Sequence, residues 1–421
     1  MGALYQRFPK NPPTGATIDL AIGLEALVQI GASNSCHTPR VFMTASASSP
    51  LVVSAEPALA SSVETAAWAL RNELQDQFVI GQMTYPVSPE QPIRFGGRLL
   101  DTAEKAFPLL SARFRRHGYT LLLQRVGDED VALAMPGVIA ATPSRAWINA
   151  ALFLLTLLTT LFIGASSEIN GLPRSLADWL RGVPFSFTLL AILGAHEMGH
   201  YVVARWHKVD VTLPYFIPVP FGLGTFGAFI KMKSPVENRR ALFDVAVAGP
   251  LAGLVVALPL LVIGLMTSPV KAIVSGGAGV QEGNSLLYAL LKLLIHGQWL
   301  PGNGVDVNLS SMAFAAWFGL LVTAFNLLPV GQLDGGHIIY ALGITSRWIG
   351  YGVLGVLLVL GAVAWSGWYI WAALIFFVTG LEHPAPLNEI TQLDPARRWL
   401  GALAILIFIL IFTPIPLAPI P

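Results

Sequence analysis

Residues 189–204 read LLAILGAHEMGHYVVA, and the ionisable side chains His196, Glu197 and His200 stand in this run among uncharged, mostly apolar residues. Ionisable groups inside hydrocarbon cost several kcal/mol unless they are paired, bound to metal or facing water, so their default reading is functional. His196 and His200 are four apart and project from one helical face, where both imidazoles reach a single ion at about 2.0 to 2.1 Å. Glu197 adjoins a ligand, in the place where a metalloprotease carboxylate polarises the attacking water. Chance alone produces this spacing in roughly one chain of such composition in two hundred. The alternative, helix histidines bonded to polar neighbours, must explain three such residues at once inside a membrane.

The surroundings place the run in a bilayer. The 421 residues are 54% hydrophobic and 12% charged, with a mean hydropathy of +0.64, well above soluble values. Apolar segments near the length needed to span hydrocarbon fall at 147–165, 184–204, 241–265, 312–328, 349–365, 368–380 and 399–412. The fold expected is mainly α, a polytopic transmembrane helical bundle of about six or seven spans. A further apolar piece at 286–295 is too short to cross. Arg205, Lys208, Lys231, Lys233, Arg239, Arg240, Arg347, Arg397 and Arg398 collect on one face, leaving Arg174, Arg181, Lys271 and Lys292 for the other. The first face is therefore expected to be cytoplasmic.

A catalytic zinc site takes three protein ligands and keeps a fourth position for water, so a third ligand is needed. The best source is residues 326–337, NLLPVGQLDGGH, at the end of the fourth apolar run. Pro329 and the glycines break a helix at membrane depth, which is tolerated where irregular backbone is buried in protein or lines a wet cavity. Asp334 sits in that break; on local evidence alone it reads equally as a turn-forming aspartate before Gly-Gly. Gly194, Gly199, Gly335 and Gly336 are expected to permit close packing around a wet cavity.

Charge density separates the two ends of the chain. Residues 1–145 carry 24 of its 49 charged residues. Residues 1–60 read as a flexible lead-in, 61–145 as a small soluble α+β domain on the cytoplasmic side, and 146–415 as the transmembrane unit. Helices are expected at 62–78 and 101–117, and strands at 93–100, 119–125 and 131–134. The net charge of +1 argues against a nucleic-acid partner, which leaves a basic patch or stripe. Cys36 is the single cysteine, so an internal disulfide and a cysteine-built zinc site are excluded. The opening MGALYQRFPKNPP has no basic-then-apolar run, and no signal peptide is expected from it.

His196-Glu197-Met198-Gly199-His200, followed by Asn326-Leu327-Leu328-Pro329 and Leu333-Asp334-Gly335, resembles the site-2 protease family of intramembrane zinc metalloproteases. Gly224-Thr225-Phe226-Gly227, Lys233-Ser234-Pro235 and Ala248-Gly249-Pro250-Leu251-Ala252-Gly253 are similar to the branch found in cyanobacteria, plastids and other bacteria. The resemblance implies a Zn2+ ion on His196, His200 and Asp334, Glu197 as acid/base, and Asn326 steadying substrate or the oxyanion. It also implies that residues 214–230 form a re-entrant strand loop that pairs with unwound substrate; a plain proline-rich interfacial loop is the other reading. Substrates would be single-span or other membrane proteins in the lipid bilayer, and the expected location is a bacterial inner (plasma) membrane.

Two other functions are weighed against this one. A secondary transporter also uses broken helices and intramembrane carboxylates, but it predicts symmetry between halves and has no need of HExxH. A catalytically silent membrane-binding relative would have lost the glutamate or a ligand, whereas Glu197 and all three proposed ligands are present. His337 reads as an interfacial histidine ahead of a support to the site or a proton relay, Glu382 and His383 as solvated loop residues, and Asp244 as a member of a structural pair or a lining of the cavity.

Overall fold

A computed structural model describes residues 56–86, 90–139, 144–273, 280–344 and 346–419. The lead-in expected at 1–60 lies almost wholly outside these residues. The first unit begins with helix Glu56–Leu74, followed by β1 (Phe78–Thr84), β2 (Ile93–Leu99), helix Ala103–Arg116, β3 (Tyr119–Val126) and β4 (Glu129–Pro136). The strands form one antiparallel sheet in the order β1-β2-β4-β3, which leaves β3 on an edge. Ala103, Ala106, Phe107, Leu110 and Phe114 recur on one stripe of their helix and bury it against Phe95, Leu121 and Leu123 of the sheet. The first helix ends at Leu74, earlier than 78, because Phe78 turns its ring into this core as the first residue of a strand.

Among the described residues, three helices are long and apolar enough to cross a membrane: Ala146–Ile169, Val183–Trp206 and Arg239–Met266. Their 24 to 28 residues extend roughly 36 to 42 Å at 1.5 Å each, beyond the hydrocarbon thickness of about 30 Å. Apolar helices Ser311–Asn326, Arg347–Val363 and Pro395–Ile411 are shorter, at 16 to 17 residues. The run at 368–380 forms helix Gly367–Leu374 and a π-helical turn, Ile375–Thr379. The piece at 286–295 is an eleven-residue helix, Leu286–His296. Lys292 on that helix is wholly buried, its ammonium 3.4 Å from Asp306 and 3.7 Å from Glu282. Burial pushes the Glu282 carboxyl up, and Lys292 pulls it the other way.

Helix Val183–Trp206 packs flank to flank on Arg239–Met266. Gly199 allows the approach, since a Cβ there would stand 2.5 Å from the Ala248 carbonyl. Asp244 takes both an Nε and an Nη2 hydrogen bond from Arg397, at 2.7 and 2.6 Å, and lies 2.8 Å from His207 Nε2. That cluster ties three helices together at one end and agrees with the structural pair read for Asp244.

Candidate metal centre

His196 and His200 face the same side of their helix and are 4% and 6% exposed. Helix Ser311–Asn326 ends just before Pro329, as the steric bias against helical backbone ahead of proline requires. The chain then turns through Gly331 and starts helix Asp334–Ala341, with Asp334 in its first turn. Gly335 and Gly336 let this turn press on the one before, because Cβ atoms there would lie 2.1 Å from the Leu327 carbonyl and 2.4 Å from that of Gly331. Gly194 differs from these: an added Cβ would meet nothing within 4 Å, so the close packing expected there is absent.

The result is a triangle of donor atoms. His196 Nε2 and His200 Nε2 are 3.1 Å apart, and each is 3.3 Å from Asp334 Oδ2. Four donors placed tetrahedrally about 2.0 to 2.1 Å from an ion are separated by about 3.3 Å, so these three atoms fit one face of such a shell. Nitrogen lone pairs and a carboxylate oxygen turned towards one another at this range repel unless a proton or cation lies among them. The residues present therefore fit a divalent metal ion.

The His200 tautomer supports that fit. Its Nδ1 lies 2.7 Å from the Val245 carbonyl, which only accepts, so Nδ1 carries the proton and Nε2 keeps its lone pair for a metal. Gly249, one turn further along the same helix, makes room for the ring: a Cβ there would lie 2.1 Å from His200 Nε2. Glu197 is also buried, close to the backbone of Ile230. The Asn326 amide lies 3.1 Å from His196 Nε2, so Asn326 borders the donor triangle.

Ile230 follows a hairpin of β5 (Tyr215–Pro218) and β6 (Thr225–Phe229), which occupies most of the segment 214–230. Asn149 donates to the carbonyls of Leu213 and Pro214 at 2.8 and 3.0 Å, and Thr159 donates to that of Gly224 at 2.6 Å. The hairpin is thereby fastened to helix Ala146–Ile169. It leaves Phe221, Phe226 and Phe229 exposed.

His337 is buried within the protein, with Nδ1 2.5 Å from His383 Nε2, and the His383 ring stacks 4.2 Å from that of Tyr340. The solvated loop expected at His383 is thus a packed contact, invisible in sequence because 46 residues separate the pair. The spacing of Ala248 and Ala252, and of Gly249 and Gly253, was the available signal for close helix packing.

Apolar helices around a buried triangle of two imidazoles and a carboxylate define an integral membrane protein with a metal centre of the metallohydrolase type. The sequence profile of peptidase family M50 matches residues 184–350. The chain is 30% identical over 360 residues to the probable zinc metalloprotease EGY2, chloroplastic, of Arabidopsis thaliana, covering 81% of this chain and 64% of that one. It is 30% identical over 304 residues to the probable zinc metalloprotease EGY1, chloroplastic, of Oryza sativa subsp. japonica, covering 65% and 52%. Over 260 residues it is 29% identical to the probable zinc metallopeptidase EGY3, chloroplastic, of Arabidopsis thaliana, covering 55% and 42%. The chain therefore spans about half to two thirds of the length of the first two of these relatives. No solved structure matches it. Residues 184–350 thus form a domain of the peptidase family M50 type, and the chain is similar to site-2 proteases of the plastid branch.

Proposed function

We propose that the protein is an intramembrane zinc metalloprotease that hydrolyses peptide bonds in or near the transmembrane segments of other membrane proteins. The observation that carries the reading is the donor triangle of His196, His200 and Asp334, closed at 3.1 to 3.3 Å beside buried Glu197. A bound zinc ion supplies a Lewis acid that polarises the scissile carbonyl and brings the pKa of water towards about 7. Glu197 takes the proton of the attacking water and returns it to the leaving amine nitrogen. Asn326 offers its amide N–H to the substrate carbonyl or the developing oxyanion beside the triangle. The β5–β6 hairpin receives the unwound substrate strand by edge pairing. Helices that unwind readily are favoured, because a helical amide must be opened before water can reach it.

The three long helices supply part of the bundle. Helices Ser311–Asn326, Arg347–Val363 and Pro395–Ile411, with the segment 367–379, complete six or seven spans. Val359 and Ile409 present apolar side chains outward, as lipid-facing positions do. Residues 61–145 form a soluble α+β domain on the arginine-rich face, and 146–415 the membrane unit. The relatives named above are chloroplast proteins, so the comparisons lend no support to a bacterial plasma membrane. The partners are the lipid bilayer and membrane-protein substrates, single-span chains first.

The test is cleavage of single-span substrates in liposomes by the parent and by Glu197→Gln. The variant is expected to retain zinc and to lose at least a hundredfold in rate, the lower range for a general base. Equal rates in both would remove Glu197 from the role. Metal analysis is expected to find about one zinc per chain, and none in His200→Ala.

A further inference from the structure

Residues 387–389 form a short segment that bridges the two units through Asn388. On one side it pairs with the edge strand β3: Leu123 N donates to the Leu387 carbonyl at 2.7 Å, and Glu389 N donates to the Leu123 carbonyl at 2.8 Å. On the other it pairs with the chain just before helix Arg239–Met266, as Leu387 N donates to Val236 O at 3.1 Å and Asn388 N to Glu237 O at 2.7 Å. Asn388 is wholly buried, and its side-chain amide donates to the Ala103 carbonyl and to Thr391 Oγ1. Leu387 and Ile390 join the core of the first unit. The outer edge of its sheet is thus continued by backbone from the far end of the chain.

Glu389 in this segment reaches the helix that carries Asp334. Its Oε1 accepts from the Tyr340 hydroxyl at 2.6 Å and from Arg239 Nη2 at 3.3 Å. The Arg239 guanidinium lies 5.5 Å from the centre of the Tyr340 ring. Tyr340 belongs to the eight-residue helix that begins at Asp334. A helix this short moves nearly as a rigid body, so whatever fixes Tyr340 fixes the direction from which Asp334 is presented.

We propose that Tyr340 and Glu389 are positioning residues, through which docking of the N-terminal α+β unit holds Asp334 against His196 and His200. The inference rests on Asp334 being a metal ligand. The N-terminal unit is then a brace on the catalytic centre: its release lets the Asp334 helix drift and weakens the site without touching the substrate edge.

The test uses the full chain in lipid, with amide exchange in the metal-free protein followed by zinc titration. Tyr340→Phe keeps the ring and removes only the hydroxyl, and Asn388→Ala loosens the docking from the side remote from Tyr340. In both, exchange across 334–341 is expected to quicken roughly five- to tenfold, the scale of one ordinary net hydrogen bond. Zinc affinity is expected to fall by a similar factor, with kcat reduced and KM unchanged. In Asn388→Ala the Leu123 amide should also lose protection; if it does not, Glu389→Ala, which removes the acceptor of the Tyr340 hydroxyl and leaves the backbone docking, replaces that arm. Parent-like exchange across 334–341 in both Tyr340→Phe and Glu389→Ala would overturn the brace. A parent chain that takes up no zinc would overturn the reading of the metal centre instead, and the metal-free exchange would still decide the brace.

Discussion

At His200 one side chain is held from three directions: Nε2 faces the other donors, Nδ1 is pinned by the Val245 carbonyl, and the ring lies over Gly249. Gly249→Ala therefore places a methyl where the imidazole stands, 2.1 Å from Nε2. A neighbour must move, and the ring is the freer one. The expected outcome is a roughly ten- to hundredfold loss of zinc affinity, the usual cost of disturbing the group that orients a metal-binding histidine. Chelator competition measures it, and thermal unfolding of the metal-free variant should stay close to that of the parent; a parent-like affinity would mean that the helices part instead. The placing of His196 and His200 on one helical face was legible because i, i+4 geometry is local. The support given by Gly249 was not, because it depends on how two helices lie against each other.

Among elements, the β5–β6 hairpin carries the most specific expectation. Thr225 Oγ1 donates to the Ile217 carbonyl at 2.9 Å and accepts from Gly227 N at 3.0 Å, so a single hydroxyl locks the strands across their turn. Thr225→Val keeps the shape and removes both bonds. KM for a single-span substrate is expected to rise roughly three- to tenfold, with zinc content and kcat unchanged, since only the receiving edge loosens. Steady-state cleavage in liposomes separates this from a fall in kcat, which would place the hairpin in the chemistry. The long spans were legible as apolar runs, whose composition decides burial in lipid whatever they pack against. Strand β1 was missed because Gly81 and Gln82 interrupt its alternation and it becomes a strand only by pairing with β2.

For the whole molecule, the sequence separated a charged first unit from an apolar second one but held no sign that residues 387–389 join them. That junction pairs Leu123 with a segment beyond the sixth apolar run, and such contacts leave no periodic signal. The candidate metal centre is long-range in the same way, with donors on helix Val183–Trp206 and on helix Asp334–Ala341. An ion that binds only this arrangement must stabilise it by mass action, about 2.7 kcal/mol at a free concentration one hundred times Kd. Chelation is thus expected to lower the unfolding midpoint by a few degrees and zinc to restore it, with neither effect in His200→Ala. Because the 387–389 segment hydrogen-bonds to both units, the shift should also reach the β3 amides of the N-terminal sheet when exchange is followed during heating. Zinc protection confined to the membrane helices, with β3 opening at an unchanged temperature, would show that the two units melt independently and that the junction carries no load between them.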